Sequence, residues 1–402
     1  MEEVVVERLN VRGEGVAEGV QPVPRVLPGE RVAVSEGKVQ VLMPSEARVA
    51  PPCRHFRACG ACAMQHASDD FVAEWKTSVI AHGLAAQGIE TETRPITTSP
   101  PASRRRATLH GRRTKKGAMV GFMARASNVL VEVSDCEVLH PDILAALPAL
   151  EALTRILATR TNGVDIAVVI SEPGLDVRVS GGRSADRSVL VELAQLAGQH
   201  GLARLTYGYE PIVTREPPVQ CFGAARVVPP PGAFLQATTH GETALLSAIQ
   251  DALGKDQALV ADLFAGCGTF TLPLASGSDV EAFEGDKQLV EALDAGWRST
   301  GGGLRRTIAK VRDLFRQPLL PDELNRYSAV VIDPPRAGAE AQHDALAKSR
   351  VPIIAAVSCN PVTFARDARI LVEGGYTLDW VQPVDQFRWS SHVELAAQFT
   401  RA

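Results

Sequence analysis

After Thr238, four short apolar runs, 258–264 (ALVADLF), 279–285 (DVEAFEG), 327–333 (YSAVVID) and 351–358 (VPIIAAVS), alternate with stretches of helical composition. Runs of this length without polar alternation read as strands buried on both faces, and their alternation with helices predicts a doubly wound parallel sheet. In such sheets ligands and catalytic groups gather beyond the carboxyl ends of the strands. The last run ends directly in Cys359, and Asn360-Pro361 stops it, because proline lacks the N–H that a ladder needs. That position admits two readings, a buried structural cysteine or a thiol presented at the rim of the sheet.

Other residues fall on the same rim. The stretch 262–275 (DLFAGCGTFTLPLA) is a strand running into a glycine turn and a helix. Gly266 and Gly268 allow close backbone approach to a ligand, and a helix N-terminus favours polar or anionic groups. Glu284 ends the next strand, where folds of this kind place a carboxylate for ribose hydroxyls. The glycine pattern is shorter than a pyrophosphate fingerprint, which favours an adenosine ligand, with S-adenosylmethionine the leading candidate. Asp333 closes a further strand and is stiffened by Pro334 and Pro335. Near the C-terminus, Glu394 lies beside His392 on an expected final strand and by itself reads as surface.

Upstream, residues 1–47 alternate polar and apolar between Gly and Pro-Gly turns, which predicts a small β-barrel. Residues 48–233 carry mixed signals, with helices expected at 71–86 and 142–158 and strands around 129–133 and 165–170. Proline-rich VVPPPGAFLQ, 227–236, ends this middle region. From Arg94 to Val131 there are nine cations and no acid, although the whole chain of 402 residues carries a net charge of −4. Such a segment reads as a solvated face or, as expected here, a phosphate-facing patch that includes Arg104, Arg105 and Arg106. The seven cysteines are odd in number and come after an acidic N-terminus with no signal-like segment, which predicts metal or catalytic roles and a cytoplasmic location. No run approaches the roughly 18 apolar residues of a membrane span. Cys53, Cys59 and Cys62, with Cys136 far downstream, have the spacing of a four-thiolate site, and spacing does not distinguish iron–sulfur from zinc. Cys221 matches no motif and reads as core.

The motifs Phe234-Leu235-Gln236, DLFAGCGTF, IDPPRAG, SCNP and HVEL occur in that order, and together they resemble the S-adenosylmethionine-dependent RNA uracil-5-methyltransferases. This resemblance implies a multidomain α/β protein. Residues 234–402 would be a Rossmann-like class I methyltransferase domain. Residues 48–233 would form a mixed α/β central domain with a four-cysteine [4Fe–4S] site at Cys53, Cys59, Cys62 and Cys136, and residues 1–47 a small OB-like barrel of the TRAM kind that binds RNA. It further implies Cys359 as nucleophile toward carbon 6 of uracil and Glu394 as the base that removes the carbon 5 proton. Gln236, Phe264, Gly266, Gly268, Thr269, Glu284, Asp313 and Asp333 would surround S-adenosylmethionine and the base. The chain departs from the family pattern at Ala265, where relatives often carry cysteine, and at Thr269, where they often carry asparagine; Cys267, two positions further on, reads as packing. The expected substrate is 23S rRNA, acted on by a monomer with no membrane partner. The alternatives are a tRNA uracil-5-methyltransferase and a non-catalytic RNA-binding metalloprotein.

Overall fold

The computed structural model describes residues 2–35, 38–255 and 257–401. Six short strands open the chain: β1 (Glu2–Val5), β2 (Arg8–Leu9), β3 (Glu14–Val16), β4 (Val23–Pro24), β5 (Arg31–Ser35) and β6 (Lys38–Met43). They form two antiparallel sheets, β1-β5-β6 and β2-β3-β4, which share a core of Val6, Val23, Val26 and Val32. The fully buried Glu30 ties this unit to the segment after β6, pairing with Arg48 at 2.5 Å and accepting the Leu27 N–H at 2.8 Å. A buried carboxylate is tolerable only when paired and hydrogen-bonded in this way.

Ser68 accepts the Phe71 N–H and starts α1 (Asp69–Ala85), the helix expected at 71–86. Two short strands come next, β7 (Glu92–Thr93) and β8 (Thr97–Thr98). The middle region then builds one seven-stranded sheet from β9 (Arg106–Arg113), β10 (Ala118–Met123), β11 (Leu130–Glu132), β12 (Val164–Ser171), β13 (Gly174–Gly181), β14 (Arg204–Tyr207) and β15 (Glu210–Thr214), in the order β11-β10-β9-β12-β13-β14-β15. The helix expected over 142–158 is divided into α2 (Pro141–Ala145) and α3 (Leu147–Leu157). Pro148 accounts for the division, because it lacks the N–H that would bond the Leu144 carbonyl in a continuous helix and is tolerated only in the first turn of α3. With α4 (Arg187–Gln199), α3 covers one face of the sheet, packing Leu150, Leu153, Leu157 and Leu193 on Leu109, Ile166, Val168 and Val177. A hairpin, β16 (Gln220–Phe222) and β17 (Ala225–Val227), leads onward. Cys221 on β16 is exposed rather than core, because alternation turns it away from its buried neighbours Gln220 and Phe222, and its thiol donates to Glu172 at 3.2 Å.

The C-terminal half contains α5 (Thr239–Leu253), β18 (Leu259–Leu263), α6 (Thr271–Leu274), β19 (Asp279–Glu284), α7 (Lys287–Ser299), β20 (Thr307–Val311), α8 (Pro321–Leu324), β21 (Ala329–Ile332), α9 (Glu340–Ala347), β22 (Ile353–Ser358), α10 (Pro361–Glu373), β23 (Thr377–Asp385) and β24 (Glu394–Thr400). The sheet order is β20-β19-β18-β21-β22-β24-β23, the first five strands parallel and β24 antiparallel to both neighbours. β7 and β8, although they fall within 48–233, pair in parallel with β23. Alternate residues of each strand serve two cores. Ala261, Val330 and Ile354 meet α1, α9 and α10, whereas Val260, Val331 and Ala355 meet α5, α6 and α7. The strand order reverses between β18 and β21, so the crevice of the fold opens there. Among the described residues no helix is long and apolar enough to cross a membrane.

Gly121 on β10 admits no side chain, because a Cβ there would lie 1.9 Å from the Val131 carbonyl oxygen on β11. Gly121→Ala is expected to part these strands and destabilise the protein by about 1–3 kcal/mol, the usual range for overpacking. Gly117→Ala, with nothing within 4 Å of the new atom, is expected to change stability by less than about 0.5 kcal/mol. Equal urea midpoints for the two variants would contradict this account of the sheet edge.

Candidate active site

A cavity of about 450 Å³ occupies the crevice at the reversal of strand order, and the residues that line it come from the carboxyl ends of five strands, the start of a sixth and one upstream segment. Phe264, Gly266 and Thr269 follow β18; Glu284 ends β19; Asp313 follows β20; Asp333 follows β21; and Cys359 follows β22. Glu394 opens β24, and Gln236 reaches in from the segment before α5. Gly268 is the one expected pocket residue that does not line the cavity. Its φ of 95° and the 2.9 Å that would separate a Cβ from Leu272 and Leu293 make it a packing glycine. Gly266, at φ 56°, has open space where a side chain would be and donates its N–H to Glu284 at 3.0 Å. Glu284 also accepts the Asp286 N–H at 2.9 Å, so one carboxylate fixes the glycine turn and the start of α7. Phe264 holds φ 63°, a conformation unfavourable for an aromatic residue, and its ring lies 5.3 Å from that of Phe315. Asp313 accepts the N–H groups of Phe315 and Arg316 and so shapes the turn that presents Phe315. A glycine turn, two aromatic rings and a strand-end carboxylate that can accept from ribose hydroxyls together fit an adenosine ligand.

The other end of the cavity is acidic. Burial pushes Asp333 up to about 7, aided by the nearby Asp262 charge, and burial pushes Glu394 up to about 8, aided by Asp333. Cys359 is pushed up to about 11 by burial and by the charges of Glu394 and Asp333, against which Arg336 acts. A single buried side chain outside the expected set, Gln386, organises this end. Its amide nitrogen donates to Gln236 Oε1 at 2.6 Å and to the Glu394 carboxylate, while its oxygen accepts the N–H groups of Ala237 at 2.6 Å and Thr238 at 3.3 Å. Gln386 belongs to a turn held from below by Lys76, which pairs with Asp385 at 2.7 Å and donates to the Phe387 carbonyl at 3.1 Å, both charged groups being buried. Nothing in the motif pattern singled out Gln386; the only signal was its place between the strand ending at Asp385 and the HVEL run.

The basic segment divides. Arg104, Arg105 and Arg106 are not a phosphate-facing patch, because they enter the interior. Arg105 pairs with Glu242 and donates to the Gln236 carbonyl at 3.1 Å. Arg106 places its guanidinium 4.3 Å from the ring of Phe234, which lines the cavity, and burial lowers Arg106 to about 10. The cations further along β9 remain outside. Cys53, Cys59, Cys62 and Cys136 line one hollow beside Arg104 and Arg388. Burial pushes Cys62 up to about 12, and the other three thiols also press on it. Among the described residues no group of three or more His, Cys, Asp or Glu side chains is arranged to hold a metal ion. Cys267 is buried in the core that faces α5, and burial pushes it up to about 12.

The family model for tRNA (Uracil-5-)-methyltransferase matches residues 230–402. An RNA methyltransferase of Mesorhizobium japonicum is 42% identical over 401 residues, covering 98% of this chain and 96% of that protein. One from Caulobacter vibrioides is 42% identical over 422 residues and covers both chains fully. A 23S rRNA (uracil(1939)-C(5))-methyltransferase of Halomonas elongata is 33% identical over 434 residues, 98% of this chain and 88% of that one. The crystal structure of the Pyrococcus abyssi tRNA (uracil-54, C5)-methyltransferase with S-adenosyl-L-homocysteine superimposes with a TM-score of 0.76 at 21% identity, over 99% of both chains, and shares the fold. The chain belongs to the S-adenosylmethionine-dependent RNA uracil-5-methyltransferase family.

Proposed function

We propose that the enzyme methylates carbon 5 of a uridine in 23S rRNA through a covalent bond between Cys359 and carbon 6 of the base. The observation that carries this reading is the meeting of Cys359, Glu394, Asp333 and Gln236 at one end of a cavity whose other end has adenosine-binding chemistry. The choice of 23S rRNA rests on the substrate named for the Halomonas elongata relative. When bound, S-adenosylmethionine supplies an electrophilic methyl group on a sulfonium sulfur. Carbon 5 of uracil is too weak a nucleophile to take that methyl unaided. Cys359 overcomes this by adding its sulfur to carbon 6, which leaves carbon 5 an enolate carbon. Arg336 favours the thiolate that this step needs. Once carbon 5 has taken the methyl group, leaving S-adenosylhomocysteine, Glu394 takes the carbon 5 proton as general base, and the sulfur is expelled with the ring double bond restored. A carboxyl held near 8 suits this role, since it gains and loses a proton close to working pH. Asp333 and Gln236 hold the edge of the base, which must be extruded from its stack to enter.

In this reading residues 234–402 are the catalytic domain and 48–233 the central one, while 1–47 act as a TRAM-like RNA-binding module of a monomeric cytoplasmic enzyme. We assign Cys53, Cys59, Cys62 and Cys136 to a [4Fe–4S] cluster. What supports the assignment is the donor chemistry of four thiols lining one hollow, not their arrangement, since they are not gathered into a metal-holding group, and the same chemistry would accept zinc. The cysteine segment is tied to the turn that carries Gln386, because the N–H groups of Ala63 and Met64 donate to the Trp389 carbonyl at 2.8 and 2.9 Å. A cluster there would brace the catalytic turn.

Glu394→Gln is expected to allow addition and methyl transfer but not elimination. The protein should therefore remain bonded to RNA, as a slow denaturing-gel band that carries methyl label and is removed by RNase. Cys359→Ala should give neither band nor product. Wild-type turnover by Glu394→Gln, or an adduct from Cys359→Ala, would reassign both roles. For the cluster, anaerobically prepared protein is expected to contain iron and acid-labile sulfide and to absorb broadly near about 400 nm; stoichiometric zinc without iron would replace the cluster by a structural zinc site.

A further inference from the structure

The seven-stranded sheet is covered by α3 and α4 on one face only. On β9, Ala107 and Leu109 point into that covered face, so Arg106, Thr108, His110 and Arg112 point to the other. Register places Asp165 of β12 beside His110, Ala167 beside Thr108, and Met119 of β10 beside Arg112. This face starts at the catalytic cavity, where Arg106 stacks on Phe234. Six residues along the strand, about 20 Å at the rise of an extended chain, it ends at Arg112. There it opens into a hollow of about 380 Å³ lined by His110, Arg112, Arg113, Thr159, Arg160 and Asp165.

The charges in this hollow are unbalanced. Its one carboxylate, Asp165, is engaged by His110 at 2.7 Å. Arg112 and Arg160 are exposed, and neither forms a salt bridge among the described residues. Lys115 and Lys116 lie exposed at the adjoining β9–β10 turn. Each exposed guanidinium offers a planar fork of donors suited to a phosphate. A uridine extruded into the cavity leaves its flanking strand outside, with one phosphate per nucleotide to be neutralised.

We propose that the open face of this sheet is the track for the single-stranded RNA flanking the target uridine, with its distal phosphates held by Arg112 and Arg160. The proposal rests on the reading of RNA as substrate, and it places that RNA on the central region as well as on the N-terminal strands. Binding follows the counterions that the two guanidiniums release, so it is visible in salt dependence.

The test measures binding of fluorescein-labelled U20 RNA to the full-length protein by anisotropy over a range of potassium chloride concentrations. The paired substitution Arg112→Glu with Arg160→Glu is expected to lower affinity and to reduce the slope of log affinity against log salt by about 0.7 for each lost contact on single-stranded RNA. Arg112→Lys with Arg160→Lys should keep the slope. Arg160→Ala alone, at an exposed loop position, should lose about half the change and decides the matter if the doubly substituted protein fails to bind S-adenosylhomocysteine. An unchanged slope in the Glu pair or in Arg160→Ala overturns the proposal. So does equal displacement of U20 by poly-glutamate of matched charge, which would mark a surface for an acidic protein. Methylation of total RNA by the unaltered enzyme is scored in parallel. If it is normal and the slope is unchanged, only the track is wrong; if it is absent and the slope responds, only the methylation reading is wrong.

Discussion

The amide of Gln386 is the joint on which the reacting end of the cavity depends. Gln236 arrives from the segment before α5 and Glu394 from the first position of β24, 158 residues apart in the sequence, and one side chain bonds both. With its nitrogen donating to two acceptors and its oxygen accepting two backbone N–H groups, all four hydrogen-bonding positions of the amide are used. A fully satisfied buried polar network fixes one geometry, whereas a partly satisfied one is costly. The turn around Gln386 is held by the buried Lys76–Asp385 pair below it and by the cysteine segment that donates to Trp389. An ion pair with both charges removed from water is poor support for stability alone, because desolvation offsets much of the attraction. Its place beneath the turn fits a role in holding the position of Gln386.

The same burial sets the electrostatic character of the site. Asp262, Asp333 and Glu394 are all raised by desolvation, Asp262 to about 7. Each therefore binds a proton more tightly in the fold than in the open chain. For Glu394 the sign is direct: the folded protein holds the extra proton between about 4.5 and 8, so this group lowers stability as pH rises through that window. The pocket thus keeps a carboxyl poised to accept a proton, at some expense in stability. In the proposed mechanism a neutral-leaning Glu394 also relieves repulsion of the thiolate while the Cys359 sulfur adds, and its ionised form serves the later elimination.

The alternation of apolar runs and helices was legible because a parallel sheet buries both strand faces, and the strand ends carrying Glu284, Asp333 and Cys359 could be placed from it. Glu394 was legible as a strand residue but not as a buried one, since burial depends on β24 inserting between β22 and β23. Gln386 escaped because a turn residue has no periodicity and its partners are far away in sequence. The arginine triplet was misread for a related reason. Composition shows that cations cluster, but position along β9 decides that Arg106 packs against Phe234 while Arg112, on the same face at the far end of the strand, is exposed. Likewise Gly268 looked like its neighbour Gly266, and only the proximity of Leu272 and Leu293 separates a packing glycine from one facing the cavity.

Everything proposed for the reacting end turns on Cys359 bonding to carbon 6 of the target base, and the most direct measurement traps that bond with RNA carrying 5-fluorouridine. Fluorine at carbon 5 cannot leave as a proton does, so addition and methyl transfer should stop at a stable protein–RNA adduct. After nuclease and protease digestion, mass spectrometry is predicted to find the methylated fluorouridine nucleotide on the peptide containing Ser358-Cys359-Asn360. An adduct on the peptide of Cys267 or Cys221, or turnover with no adduct on any cysteine, would contradict the account.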